Sequence, residues 1–186
     1  MNRTTIDRTI STAGLVVAIA LLAASGGLSY AHNFVHKQVH DQLAAEKITF
    51  PVSGSEGLMA LPASDQAKVS QYAGQQLLTG AQAKVFADNY IAVHLKKIGA
   101  GKTYSELSTA SLADPSDQKL AGQVATVFRG ETLRGLLLNA YAFDTMALVA
   151  NYAALGALIA GLVLLVLAML GFYHSSYIQK PAKRRK

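Results

Sequence analysis

Residues 153–172 read AALGALIAGLVLLVLAMLGF, a run without a polar side chain, and this run decides the fold class. At about 1.5 Å per residue, a helix of this length covers the roughly 30 Å hydrocarbon core of a bilayer. Residues 10–31, ISTAGLVVAIALLAASGGLSYA, are apolar or small apart from Tyr30, so the chain reads as two transmembrane helices. The charge is distributed to match. The head carries Arg3, Asp7 and Arg8, the tail carries Lys180, Lys183, Arg184, Arg185 and Lys186, and residues 32–145 hold ten Lys/Arg against ten Asp/Glu. The net charge of +6 therefore sits in the two tails. Basic residues beside a span stay in the cytoplasm, which predicts both termini inside and the neutral middle outside.

The expected organisation is a cytoplasmic head (1–9), a first span (10–31), an extracytoplasmic domain (32–145), a second span (146–173) and a basic cytoplasmic tail (174–186). A signal peptide is the competing reading of the first span, since Arg3 and Arg8 could form its n-region and Ser29-Tyr30-Ala31 its cleavage site. The apolar run is longer than the usual 7–15 residues of such an h-region, which favours retention. The basic excess does not read as a nucleic-acid footprint, because it lies in a terminal run and not on a face of the middle domain. Lys183, Arg184, Arg185 and Lys186 suit the flank of a span, and their sharper reading is a patch for anionic lipid. With no cysteine, the outer domain must be held by packing.

Within that domain the periodicity is helical. Phe34, Val35 and Val39 continue the first span as helix to about residue 45. Residues 47–52, KITFPV, are β-prone but carry Pro51, and predict one short strand. Ser64 reads as the N-cap of a helix ending near Thr79-Gly80, and a second helix follows over residues 81–98, closed by Gly99. Thr103-Tyr104-Ser105-Glu106 spells a capping box. Asp114-Pro115 predicts another helix start, with Pro at the first helical position. That last helix meets no proline before Pro181, so one long helix should run from the outer domain into the second span, with Gly130 and Gly135 as the places where it could kink. The expected fold class is all-α, with two transmembrane helices flanking an extracytoplasmic helical bundle domain.

Few residues suggest chemistry. His32, His36 and His40 are four apart on one helical stripe, a spacing at which imidazoles can share a metal, while the plain reading places these rings at the outer headgroup level. Gly99-Ala100-Gly101-Lys102-Thr103 resembles the end of a phosphate-binding loop, but position 96 is Lys96, and the segment follows a helix instead of a strand. It reads as a cap and turn. Asp144 and Asn151 stand just before the second apolar run, where polar groups are costly unless paired or wet. Small residues recur in both spans: Ala153, Ala157 and Gly161 in the second, and Ala20 with Ala24 and Ala23 with Gly27 in the first. Close helix packing is their natural use.

GAQAKVFADNYIAVHLK (80–96), GKTYSEL (101–107) and RGETLRGLLLNAYAF (129–143) resemble a family of uncharacterised actinobacterial two-span membrane proteins. The resemblance covers the outer domain and second span, and implies a two-span protein without assigning an activity. Some comparable small membrane proteins carry a ring-opening dioxygenase label, but no iron ligands can be identified here. The resulting expectation is a protein without catalytic residues or cofactor: a scaffold or accessory subunit that docks a membrane partner or another copy of itself. The alternative is a module that senses a ligand, metal or pH outside the cell and signals through a partner.

Overall fold

A computed structural model describes residues 3–178 of the chain. The elements are α1 (Arg3–Glu46), α2 (Glu56–Met59), α3 (Ala63–Ser70), α4 (Gly80–Val85), a π-helical turn (Phe86–Ile91), α5 (Ala92–Ile98), α6 (Tyr104–Ala113) and α7 (Gln118–Ile178). The protein is all-helical. Two of its helices, α1 and α7, are long and apolar enough to cross a membrane. The lipid patch expected at Lys183, Arg184, Arg185 and Lys186 lies outside the described residues.

The chain divides into two units, one of residues 1–34 with 147–186 and one of residues 35–146. In the first, α1 and α7 pack antiparallel along a seam of small side chains. Ser11, Ala18 and Ser25 are buried on α1, and Ala147, Ala154, Gly161, Ala168 and Ser175 are buried on α7, each seven residues after the last. A seven-residue repeat is the signature of a coiled-coil seam, and small residues let the two backbones approach closely. A Cβ on Gly161 would lie 3.0 Å from Leu22 Cγ and 3.3 Å from the Ala18 carbonyl oxygen. Ser25 Oγ donates to the Ala154 carbonyl across the seam at 2.8 Å.

The expected packing stripe falls only partly in this seam. Gly161 is in the seam and Ala157 is half-buried, but Ala153 is exposed and its neighbour Ala154 takes the buried place. Each step of four residues turns about 400° around the helix, so a four-residue stripe drifts off a flat contact, whereas a seven-residue step nearly returns to it. On α1 the same reasoning leaves Ala20, Ala23, Ala24 and Gly27 outside the seam, all exposed.

The second unit has one apolar core, built from Val39 and Leu43 of α1, Phe50, Leu58, Val69, Leu77, residues of α4 and the π turn, and Leu137 of α7. Aromatic rings run through it. Phe50 meets Phe86 edge to face at 5.2 Å and Tyr72 at 5.1 Å, and Phe86 meets Tyr90 at 4.9 Å. Each such pair contributes roughly 0.5–1.5 kcal/mol beyond its burial. The predicted strand at residues 47–52 is only an isolated bridge, Thr49 to Gln76. Phe50 N donates to Gln75 O and Leu77 N to Ile48 O, but Pro51 then has no N–H with which to extend the ladder.

Helix ends follow their caps with three differences from expectation. Helix α3 starts after Pro62 and not at a Ser64 cap, and it stops at Ser70, before the turn at Gly74 with its positive φ of 71°. Asp117, not Asp114, caps α7 by accepting from Leu120 N at 2.9 Å, and Asp114 instead holds the turn through Ser116. Thr79 does not end a helix but opens one. Its hydroxyl accepts from Gln82 N, and Gln82 Oε1 returns to accept from both Thr79 N and Leu78 N. The box predicted at Thr103 and Glu106 is formed. Substituting Thr79→Ala removes one bond of its box at the edge of the core; we expect a loss of about 1 kcal/mol, read as a fall in melting temperature of roughly 2–4 °C.

Candidate functional site

The histidine stripe does not act as one group. His32 Nδ1 donates to the Ala147 carbonyl at 2.8 Å, His36 Nδ1 lies 2.8 Å from Asp144 Oδ1, and His40 Nδ1 lies 3.2 Å from Asp41 Oδ1. The fourth histidine of the expected outer domain, His94, stacks on the Tyr90 ring and donates to the Tyr90 carbonyl. Helical spacing put three imidazoles on one stripe, but each found its own acceptor. Among the described residues no group of three His, Asp or Glu side chains is placed to hold a metal ion.

One of these pairs is built into the core. Asp144 is 7% exposed, and its two oxygens are divided between partners: Oδ1 takes His36, while Oδ2 accepts the Gly80 N–H at 3.2 Å. Gly80 is the first residue of α4, whose N-terminal N–H groups need acceptors from outside the helix. A carboxylate there is favoured by the helix dipole as well as by the bond. The approach requires glycine, because a Cβ at position 80 would fall 2.5 Å from Asp144 Cβ. One buried carboxylate thus ties α1, α4 and α7 together, and the imidazole it holds is half exposed. Asp144 stood out in the sequence as the only Asp, Glu, Lys or Arg between Arg134 and Lys180; Gly80 carried no such signal.

A second polar cluster joins the π turn to α7. Asp88 accepts from Lys84 Nζ at 2.8 Å and from Arg134 Nη2 at 3.1 Å, and Arg134 also reaches Glu131. Lys84 Nζ lies 5.0 Å above the Tyr141 ring. The Lys84 ammonium first, and the Arg134 guanidinium with it, hold the Asp88 carboxyl below the usual carboxylate range against the opposing effect of burial. A depressed folded pKa stabilises above the unfolded value and is lost as pH falls through the folded one. Wild type should therefore melt higher than Asp88→Asn at pH 6, by less than about 1 kcal/mol, and the two curves should converge as the pH drops below roughly 4.

Beside the core, Val39, Leu43, Ile48, Leu133, Leu136, Leu137 and Phe143 line an apolar groove of about 310 Å³, with Gln42, Glu46 and Asn139 as its polar members. Leu136 is 61% and Phe143 55% exposed. Gly99 to Thr103, the loop with a phosphate-binding look, is the turn between α5 and α6, with Ala100 and Gly101 at positive φ. Comparison with protein-family models, curated proteins and solved structures finds no match to this chain.

Proposed function

We propose that this protein is a non-enzymatic integral membrane protein, a scaffold or accessory subunit whose outer helical domain docks the apolar helix of a partner membrane protein. In this reading α1 and α7 span the cell membrane, both termini are cytoplasmic and residues 32–145 lie outside, as the charge distribution favours.

The carrying observation is the apolar face of α7. Residues 135–173 hold one charged side chain, Asp144, and at about 1.5 Å per residue they extend well beyond the ~30 Å hydrocarbon core. Lys37 and Asp41 mark the point on α1 where charge resumes, and in the same unit His36 lies opposite Asp144. Leu133, Leu136 and Phe143 precede Asp144 in the chain, outside the second apolar run, yet they remain exposed and line the groove. Apolar surface of this kind, rimmed by polar residues, marks a site of protein contact. An apolar helix of a partner would cover it.

A photoreactive residue at position 136, activated in native membranes, tests this. The expected product is a discrete adduct with one other membrane protein. An adduct of twice the chain mass would replace the partner by a second copy, and absence of any protein adduct would overturn the docking role.

A sensing role is the second reading, and His36 favours it. Its half-exposed imidazole touches the carboxylate that holds the start of α4, so a change in imidazole charge would be felt at that helix. Protection of the amides of residues 81–86, taken relative to their intrinsic exchange rates, that differs between pH 5 and 7.5 in wild type but not in His36→Gln would support it. An identical profile in both would reject it.

A further inference from the structure

The span unit contains a cavity of about 310 Å³ near the chain's N-terminal end, bounded by Asp7, Ser11, Gly14, Leu164, Gly171 and His174 among others. Small residues of the seam, Ser11, Gly14, Ala168 and Gly171, form part of its wall. Asp7 Oδ2 is buried, and among the described residues it has no hydrogen-bond donor. A carboxylate oxygen removed from water without a donor is costly, so the cavity calls for a group that brings N–H bonds and positive charge.

We propose that this cavity binds the primary-ammonium headgroup of an ethanolamine phospholipid. The inference rests on the membrane-spanning reading above. Asp7 and Arg8 are the last charged residues before the uncharged run of α1, which puts Asp7 at headgroup depth on the cytoplasmic side. Ile10 and Leu167, both exposed at the cavity, offer apolar contact to the adjoining glycerol and upper acyl region. The ammonium donates to Asp7 Oδ2, and the His174 imidazole, on the α7 side of the cavity, is available to the phosphate. A choline headgroup fails in this role because its quaternary nitrogen has no N–H.

The test is the melting temperature of the full chain in nanodiscs of phosphatidylcholine alone and of phosphatidylcholine mixed equally with phosphatidylethanolamine. Wild type should melt higher in the mixture by roughly 4–8 °C, and Asp7→Asn should abolish most of that difference. Equal melting of wild type in both discs, or an undiminished difference in Asp7→Asn, would overturn the proposal. Should Asp7→Asn fail to fold, native mass spectrometry of wild type released from the mixed discs decides: retained ethanolamine lipid supports the site, and equal retention of both lipids overturns it. Free ethanolamine reproducing the effect in choline discs would overturn the lipid assignment in favour of a soluble amine. Carbonate extraction separates this outcome from failure of the membrane reading, because a chain washed from its native membrane would refute the spans themselves.

Discussion

Gly80→Ala is expected to destabilise the protein by about 1–3 kcal/mol, the usual cost of forcing a methyl group into a packed site. The new Cβ would lie 2.5 Å from Asp144 Cβ and 2.8 Å from its Oδ2. The first of these atoms is attached directly to the backbone of α7 and cannot swing aside, so α4 and α7 must separate. Separation also stretches the bond from Gly80 N–H to Asp144. In a chain of this size the loss corresponds to a fall in melting temperature of roughly 2–4 °C per kcal/mol. Asp144→Ala should destabilise by a different route, leaving the Gly80 N–H and His36 without their acceptor; the unsatisfied N–H alone costs about 1–3 kcal/mol. The two routes can be separated by a double-variant cycle. Adding Asp144→Ala keeps the offending Cβ and should relieve Gly80→Ala only by the part due to Oδ2 and its hydrogen bond, whereas Asp144→Gly removes the Cβ and should relieve the main steric part as well. Thermal melts of the five variants in mild detergent read the pattern. Additive losses throughout would show that the close approach of these two residues is not what limits position 80.

Gly161→Leu should open the α1–α7 pair. Position 161 is buried where a Cβ already meets Leu22 at 3.0 Å and the Ala18 carbonyl at 3.3 Å, and an isobutyl group has no cavity to enter. The helices must move apart or rotate, losing the Ser25 to Ala154 bond and the close backbone approach that the small residues permit. Overpacking of this kind costs typically about 1–3 kcal/mol. Spin labels at Ala23→Cys and Leu155→Cys, both on exposed faces, report the separation directly, and the absence of native cysteine makes the labelling specific. Wild type should give one narrow distance distribution, which in Gly161→Leu shifts to longer distance and broadens. Ala153→Leu, on the exposed side of α7, should leave the distribution unchanged. The contrast between these neighbours distinguishes a seven-residue seam from a four-residue stripe.

The helical class, the two long apolar helices, the continuation of α1 and the single helix running from the outer domain into the second span were legible in the sequence; that Gly130 and Gly135 do not interrupt α7 was not. The legible features depend on composition, hydrophobic periodicity and the absence of helix breakers, all of which act locally. The capping box at Thr103 was legible for the same reason, since its two side chains bond to backbone within three residues. The box at Thr79 was hidden by the adjacent Gly80, which reads as a helix end when taken alone. Only the tertiary structure showed why that glycine is there: Asp144, sixty-four residues away, needs to reach its N–H. Likewise, a strand requires a partner, and Pro51 limited the β-prone segment to one bridge.

Which face of each long helix is buried was the other decision left to packing. Every small residue in the spans is compatible with close contact, so composition alone could not choose between a four-residue and a seven-residue set. The geometry of two helices in extended antiparallel contact does choose, because only a period near 3.5 residues keeps the same side chains at the interface over many turns. The histidines followed that logic. Their spacing was set by the sequence, but the Ala147 carbonyl, Asp144 and Asp41 determined what each would bind, and only the fold and local rotamers brought those acceptors within reach.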